Sequence, residues 1–197
     1  MHSAMFKRYT KSGVQRILRR CAPDIESAAR AYGVPQACIR AILYQELTAM
    51  DWLDSIADLA VGCYWRFHSL WDRLSLPAKR DSSTGYGQIF AATAIQAIDF
   101  AYAQGIRDLP LPAPVDKSRS LGAVWRRLHR DVHFNIRCVA LCLLHAAAEM
   151  TGSTDFGALS PEELQLVFTR YNANSKSITR YGKETYAHYQ TFQGDSL

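Results

Sequence analysis

The sequence predicts an all-α protein, with about eight helices arranged around a buried central one. Three observations predict it. Apolar residues recur at three- and four-residue spacings along most of the chain, and the strict alternation of a half-buried strand is nearly absent. Pro23, Pro35 and Pro161 stand just inside the starts of periodic runs, where a missing N–H costs nothing, and Gly33, Gly105 and Gly152 follow such runs as C-terminal caps do. Residues 136–148 (IRCVALCLLHAAA) are apolar on nearly every face, as in a helix surrounded by other helices.

The periodicity places helices near 12–21, 24–32, 35–49, 52–74, 91–104, 119–150, 161–171 and 176–190. Ser160 followed by Glu163 reads as a capping box. Two stretches interrupt the pattern: 77–88, rich in small polar residues and glycine, and 109–118, with its prolines. Loops of this kind between helices are where sites are commonly built. The chain has 197 residues, of which 48% are hydrophobic, enough for one domain over 13–190. Residues 1–12 read as a flexible N-terminal segment and 191–197 as a tail.

The net charge of +5 suits an anionic polymer, whether nucleic acid, acidic lipid or cell wall, without choosing among them; plain solubility is the alternative. Arg126, Arg127 and Arg130 read as one exposed basic patch for an anionic polymer or an inhibitor, or simply as a solvated face. The five cysteines are odd in number and form no CxxC pair, which argues against a disulfide framework and a zinc site, and no cofactor is expected. Cys138 and Cys142 read as small core residues. The N-terminus lacks the apolar core of a signal peptide, and the run 136–150 is too short and too interrupted to span a bilayer. Synthesis in a reducing cytoplasm is expected, with delivery outward by another route if the target lies outside.

Glu46 carries the strongest chemical signal. It falls four residues after Ile42 and three after Leu43, on the apolar stripe of its helix near the C-terminal end. A carboxyl on such a face loses hydration, which favours its neutral form. A carboxyl that holds its proton is what protonation of a leaving oxygen requires, as in glycosidic cleavage. The plain alternative is a glutamate at the rim of the core with its tip in water.

The segment AILYQE, then DSSTGYGQIFAATA, then DVHFNIRCVALCLL, then RYNAN, resembles the lysozyme-like superfamily in order and spacing, and lytic transglycosylases and goose-type lysozymes most of all. The resemblance spans residues 24–190. It implies a lysozyme-like fold and cleavage of the MurNAc–GlcNAc backbone of bacterial peptidoglycan, with Glu46 as general acid. It also implies substrate binding by Ser83, Gly85, Tyr86, Gln88, Tyr171 and Asn172, and it fits an antibacterial effector with a cognate immunity or inhibitor protein. The sequence departs from the family in having Leu47 after the glutamate, in reading Gly85-Tyr86-Gly87-Gln88 in the loop, and in the long helical insert before that loop.

In chemical terms Gly85 and Gly87 let backbone approach a sugar, Tyr86 can stack on a sugar face, and Gln88 can both donate and accept. Tyr171 is placed to bond Glu46 or substrate, with a helix end capped by Asn172 as the plain alternative. Hydrolysis also needs a second carboxylate, about 6.5–9.5 Å away for inversion and nearer 5 Å for retention. Asp81 in the loop is the first candidate. Asp51, Asp54 and Asp58 line one helix face and read as solvated, with a cation or amino-sugar site as the alternative. Without a second acid, Glu46 alone would run a transglycosylase reaction, closing an anhydro ring. Three rivals remain at this stage. Residues 24–43 are patterned like a DNA-binding helix-turn-helix, although Arg40 is the only cation of its second helix. The other two are a chitosanase- or chitinase-like hydrolase of the same fold and an inactive binding module.

Overall fold

The computed structural model describes residues 9–74 and 77–194, without the side chains of residues 52–55 and 72. Nine helices form among the described residues: α1 (Lys11–Arg20), α2 (Ala22–Tyr32), α3 (Gln36–Ala49), α4 (Trp52–Arg73), α5 (Ala91–Ala103), α6 (Lys117–Arg130), α7 (Val132–Thr151), α8 (Pro161–Asn172) and α9 (Arg180–Gln193). The protein is all-α. Apart from an isolated antiparallel bridge between Thr84 and Ile89, the described residues form no sheet.

The expected caps are present. Gly33 and Gly152 close α2 and α7 with φ of 68° and 72°. Ser160 and Glu163 form the reciprocal capping box of α8, worth about 1 kcal/mol.

The single helix expected over 119–150 is two. Asp131 leaves helical geometry at φ −109° and ψ 100°, and its carboxylate accepts the Phe134 N–H at 2.9 Å, starting α7 afresh. Apolar spacing runs straight through the break because both helices bury a face. The ends also differ from expectation. Thr10 caps α1, accepting from Gly13 N at 3.2 Å, and α9 reaches Gln193, so helical structure extends beyond 13–190. The remainder of the expected flexible ends, residues 1–8 and 195–197, lies outside the described residues.

Between Phe134 and Ala147 every residue of α7 except Arg137 and His145 is buried. The helix packs against α2, α3, α5, α6 and α8. Phe134 on α7 and Phe168 on α8 are both at 0% exposure, each contributing roughly 1.5–3 kcal/mol by leaving water. Among the described helices α7 alone is long and apolar enough to cross a membrane, yet 67% of its apolar window is covered by its neighbours. Cys138 and Cys142 are buried in this helix, as their spacing suggested.

Helix α3 is held between α1, α2, α7 and α9. Ile39, Ile42, Leu43 and Leu47 are essentially inaccessible, and within the helix only Gln36 and Ala49 are exposed. A recognition helix must offer a whole face to a DNA groove. This helix has none to offer.

Candidate active site

Glu46 sits in the last turn of α3, half-buried, where α9 crosses it. The start of α9 is fixed by α8. Thr179 caps α9 and its backbone N–H donates to Thr169 Oγ1 at 3.1 Å. Gly182 lies so close to α8 that a Cβ there would fall 2.2 Å from Thr169 Oγ1. This places Tyr181 against α3, and its hydroxyl donates to Glu46 Oε1. Burial, followed by the negative charge of Glu46, pushes the Tyr181 phenol well above its usual range. It therefore keeps its proton and remains a donor at neutral pH.

The loop opposite is a small hairpin. Thr84 and Ile89 exchange backbone N–H···O bonds at 3.1 Å each, and Gly85 to Gln88 form the turn between them. Helix α7 holds this turn from below. Asn135, at 1% exposure, accepts the Gly87 N–H at 2.8 Å and donates to Thr84 O and Leu128 O at 3.2 Å. From α8, Tyr171 donates to Gly87 O at 2.7 Å. Burial, then Cys142, then Glu46 raise the Tyr171 phenol well above its ordinary value.

The two glycines do not open the backbone to a sugar. A Cβ on Gly85 (φ 72°) would lie 2.2 Å from Asn135 Nδ2 and 2.4 Å from Leu128 O, and one on Gly87 would lie 2.3 Å from Val139 Cγ2. The close approach that demands glycine comes from α6 and α7, inside the protein.

Gln88 takes a left-handed φ of 46° and turns towards the cleft side of the loop. Its amide donates to Gly85 O at 2.9 Å and accepts from Ser83 Oγ at 3.3 Å.

Glu46, Ser83, Gln88, Tyr171 and Asn172 line one cleft of about 320 Å³, together with Asp51 and Phe90. Three segments far apart in sequence meet there: the end of α3, the hairpin and the end of α8.

Comparison with protein-family models, curated proteins and solved structures found no match. The chemistry of the cleft is therefore read from its own residues.

Three expected site residues stand elsewhere. Asp81 does not line the cleft. Its two oxygens accept the N–H groups of Ala91 and Ala92 at 3.0 Å each, so it caps α5 from a distance. Burial raises its pKa against the lowering pull of those bonds. Gly85 and Tyr86 border a neighbouring cavity, and the Tyr86 hydroxyl accepts from Arg20 Nη2 at 3.3 Å. The exposed aromatic at the cleft is instead Phe90, 44% exposed at the cap of α5, beside the part-buried Tyr171. Tyr171, expected to reach Glu46 or substrate, bonds the loop, and Tyr181 takes the contact with Glu46. Asn172 is exposed at the cleft, and Ala173 is the cap residue of α8.

The aspartates of α4 and its approach also divide. Asp51 joins the cleft. The side chain of Asp54 lies outside the described residues. Asp58 is not solvated: at 8% exposure it accepts from Ser82 Oγ at 3.0 Å and Thr84 Oγ1 at 2.8 Å, anchoring the base of the hairpin. Among the described residues no group of three or more His, Cys, Asp or Glu side chains is arranged to hold a metal.

Proposed function

We propose that this protein cleaves the MurNAc–GlcNAc backbone of peptidoglycan, with Glu46 as the general acid. One observation carries the reading. A glutamate on an apolar helix face shares a cleft with Ser83, Gln88, Tyr171 and Asn172, four of the six substrate-binding residues that the resemblance to lysozyme-like enzymes implies. Glu46 protonates the glycosidic oxygen as the bond to the leaving sugar breaks. Tyr181 fixes the orientation of the carboxyl through Oε1. Ser83, Gln88 and Asn172 supply donors and acceptors for hydroxyl and acetamido groups, and Phe90 offers a ring for a sugar face.

Asp51 also lines the cleft and is our candidate for the second carboxylate that hydrolysis needs, a role that Asp81, bound to the start of α5, does not fill. The muramidase outcome is therefore the favoured one. Digestion of purified peptidoglycan followed by mass spectrometry tests it. Reducing ends, lost in Glu46→Gln, support hydrolysis. Anhydro ends, likewise lost, keep Glu46 and give the reaction to a transglycosylase. Untouched peptidoglycan across a range of pH overturns the proposal.

A further inference from the structure

A second cavity near the hairpin is larger than the cleft of Glu46. It lies between α4 and α6, measures about 540 Å³ and falls in the size range of small-ligand sites. Arg66 of α4 and Arg126 and Arg130 of α6 line it, with Leu59, Trp125 and His129. Tryptophan rings bridge the two helices here: a Cβ on Gly62 would touch the Trp125 ring at 3.5 Å, and Gly122 lies against Trp65.

The charge of this cavity is unbalanced. Among the described residues Asp58 is the one acid lining it, and both of its oxygens are already engaged by Ser82 and Thr84, with His129 Nδ1 3.3 Å from Oδ2. Arg127, expected in the same basic patch, turns away to Asp131 and to the Pro110 carbonyl. Arg126 and Arg130 sit four apart on one helix face, a spacing at which like charges repel. The helix C-terminus of α6 favours cations in its last turn, but Arg66 comes from another helix and owes nothing to that end. The floor is apolar, with buried Trp125 and with Leu59 67% exposed beside it. His129 stacks flat on Trp125 at 5.2 Å between ring centroids, stiffening that floor.

This cavity and the cleft each share lining residues with a third. That third, smaller cavity is bordered by Met50 and Gln88, which line the cleft of Glu46, and by Asp58 and His129, which line the arginine cavity. A branched substrate lying in the cleft thus has a basic, apolar-floored recess beside it.

We infer that this recess binds the carboxylates of the peptide stems attached to the glycan strand, with guanidinium groups on the carboxylates and aliphatic side chains on Trp125 and Leu59. The inference rests on the proposed peptidoglycan reading. Arginine suits this task because its planar fork can take a carboxylate two bonds at a time.

Titration of the full chain with free stem tetrapeptide, followed by tryptophan fluorescence, tests the recess without any cleavage step. The acid form should bind, and binding should weaken by about tenfold or more when its carboxyls are amidated or in the Arg126→Gln/Arg130→Gln variant. These side chains are exposed, so folding is spared. On intact peptidoglycan the same variant should raise KM while leaving kcat unchanged, and it should cleave peptide-stripped glycan like the wild type. Equal binding of acid and amidated peptide, or equal losses on intact and stripped glycan, overturns the inference while leaving Glu46 chemistry standing. A wild-type chain that cleaves neither substrate removes the parent reading, and the peptide titration then still decides the recess. Binding of a duplex oligonucleotide in place of the peptide, lost in the same variant, makes it a nucleic-acid site and overturns the inference.

Discussion

The amide N–H of Gly87 donates to Asn135 Oδ1 at 2.8 Å, joining the loop at the cleft to the most buried helix of the protein. Asn135 satisfies three backbone groups at once. Asn135→Leu keeps the volume and removes all three bonds, leaving the Gly87 N–H and the Leu128 carbonyl without their side-chain partner while Thr84 O keeps the Ile89 N–H. Each orphaned buried group costs roughly 1–3 kcal/mol, so the expected loss is at least a few kcal/mol. Chemical denaturation measures it, and a change under about 1 kcal/mol would show that the hairpin is held by other means.

Glu46→Gln keeps the shape of the cleft and removes the proposed proton donor. Turnover should fall by about 10²–10⁴-fold with glycan binding retained. Tyr181→Phe tests the positioning contact on α9. Losing one hydrogen bond to an ionisable group, about 1.5–3 kcal/mol, should lower kcat by roughly ten- to a hundredfold and leave KM little changed. A Tyr181→Phe enzyme with wild-type kcat would remove tyrosine from the mechanism.

The two aspartates should separate cleanly. Asp81→Ala uncaps α5 and should cost about 1 kcal/mol of stability, with kcat near wild type at a temperature where the variant is folded. Asp51→Asn should do the reverse, lowering hydrolysis by roughly a hundredfold with little change in melting temperature. Paired measurements of Tm and kcat decide between them, and a reversed pattern would return the second carboxylate to Asp81.

Stability should fall as the solution turns mildly acidic. Burial holds His145 and His188 below the ordinary histidine value, against the raising influence of Glu149 and Glu184. His145 stacks on Phe100 at 4.7 Å and His188 meets the Tyr44 ring at 4.6 Å. In the unfolded chain both take up protons near pH 6.5, while in the fold they stay neutral to lower pH. The unfolded state therefore binds more protons in that window, so stability rises with pH through it and is lost below about 6.5. Tm followed from pH 7.5 down to 5.5 should decline, and less so in a His145→Gln/His188→Gln variant. A flat wild-type profile would contradict this.

Helix α3 and its glutamate are legible in the sequence because apolar spacing, the preceding proline and the charge on the stripe are all local. The α6/α7 break is harder to read. The apolar rhythm continues through it, and Asp131 alone marks the new start. The glycines of the hairpin are legible as places where no side chain fits. Which neighbour forbids the side chain is a tertiary fact, and here it is Asn135, Leu128 and Val139 and not a ligand. The partner of Glu46 lies furthest from local pattern. Tyr181 is 135 residues away and arrives only through the crossing of α8 and α9 at Thr169 and Gly182. Phe90 carries a weak signal, an aromatic just before a helix start, where a cap position turns it outward.

The grip on Gly87 from both sides gives the pocket unequal freedom to diversify. Its underside is shared with the packing of α7 and α8, so a replacement there must be matched by compensating replacements in the interior. The rim positions Ala49, Phe90 and Asn172 are exposed, and Ser83 beside them is tied only to the Gln88 side chain, so these four are under less constraint. On the proposed reading, retuning which sugar decorations are accepted is thus most readily achieved at those four positions, and a library confined to them should return a high share of well-folded members.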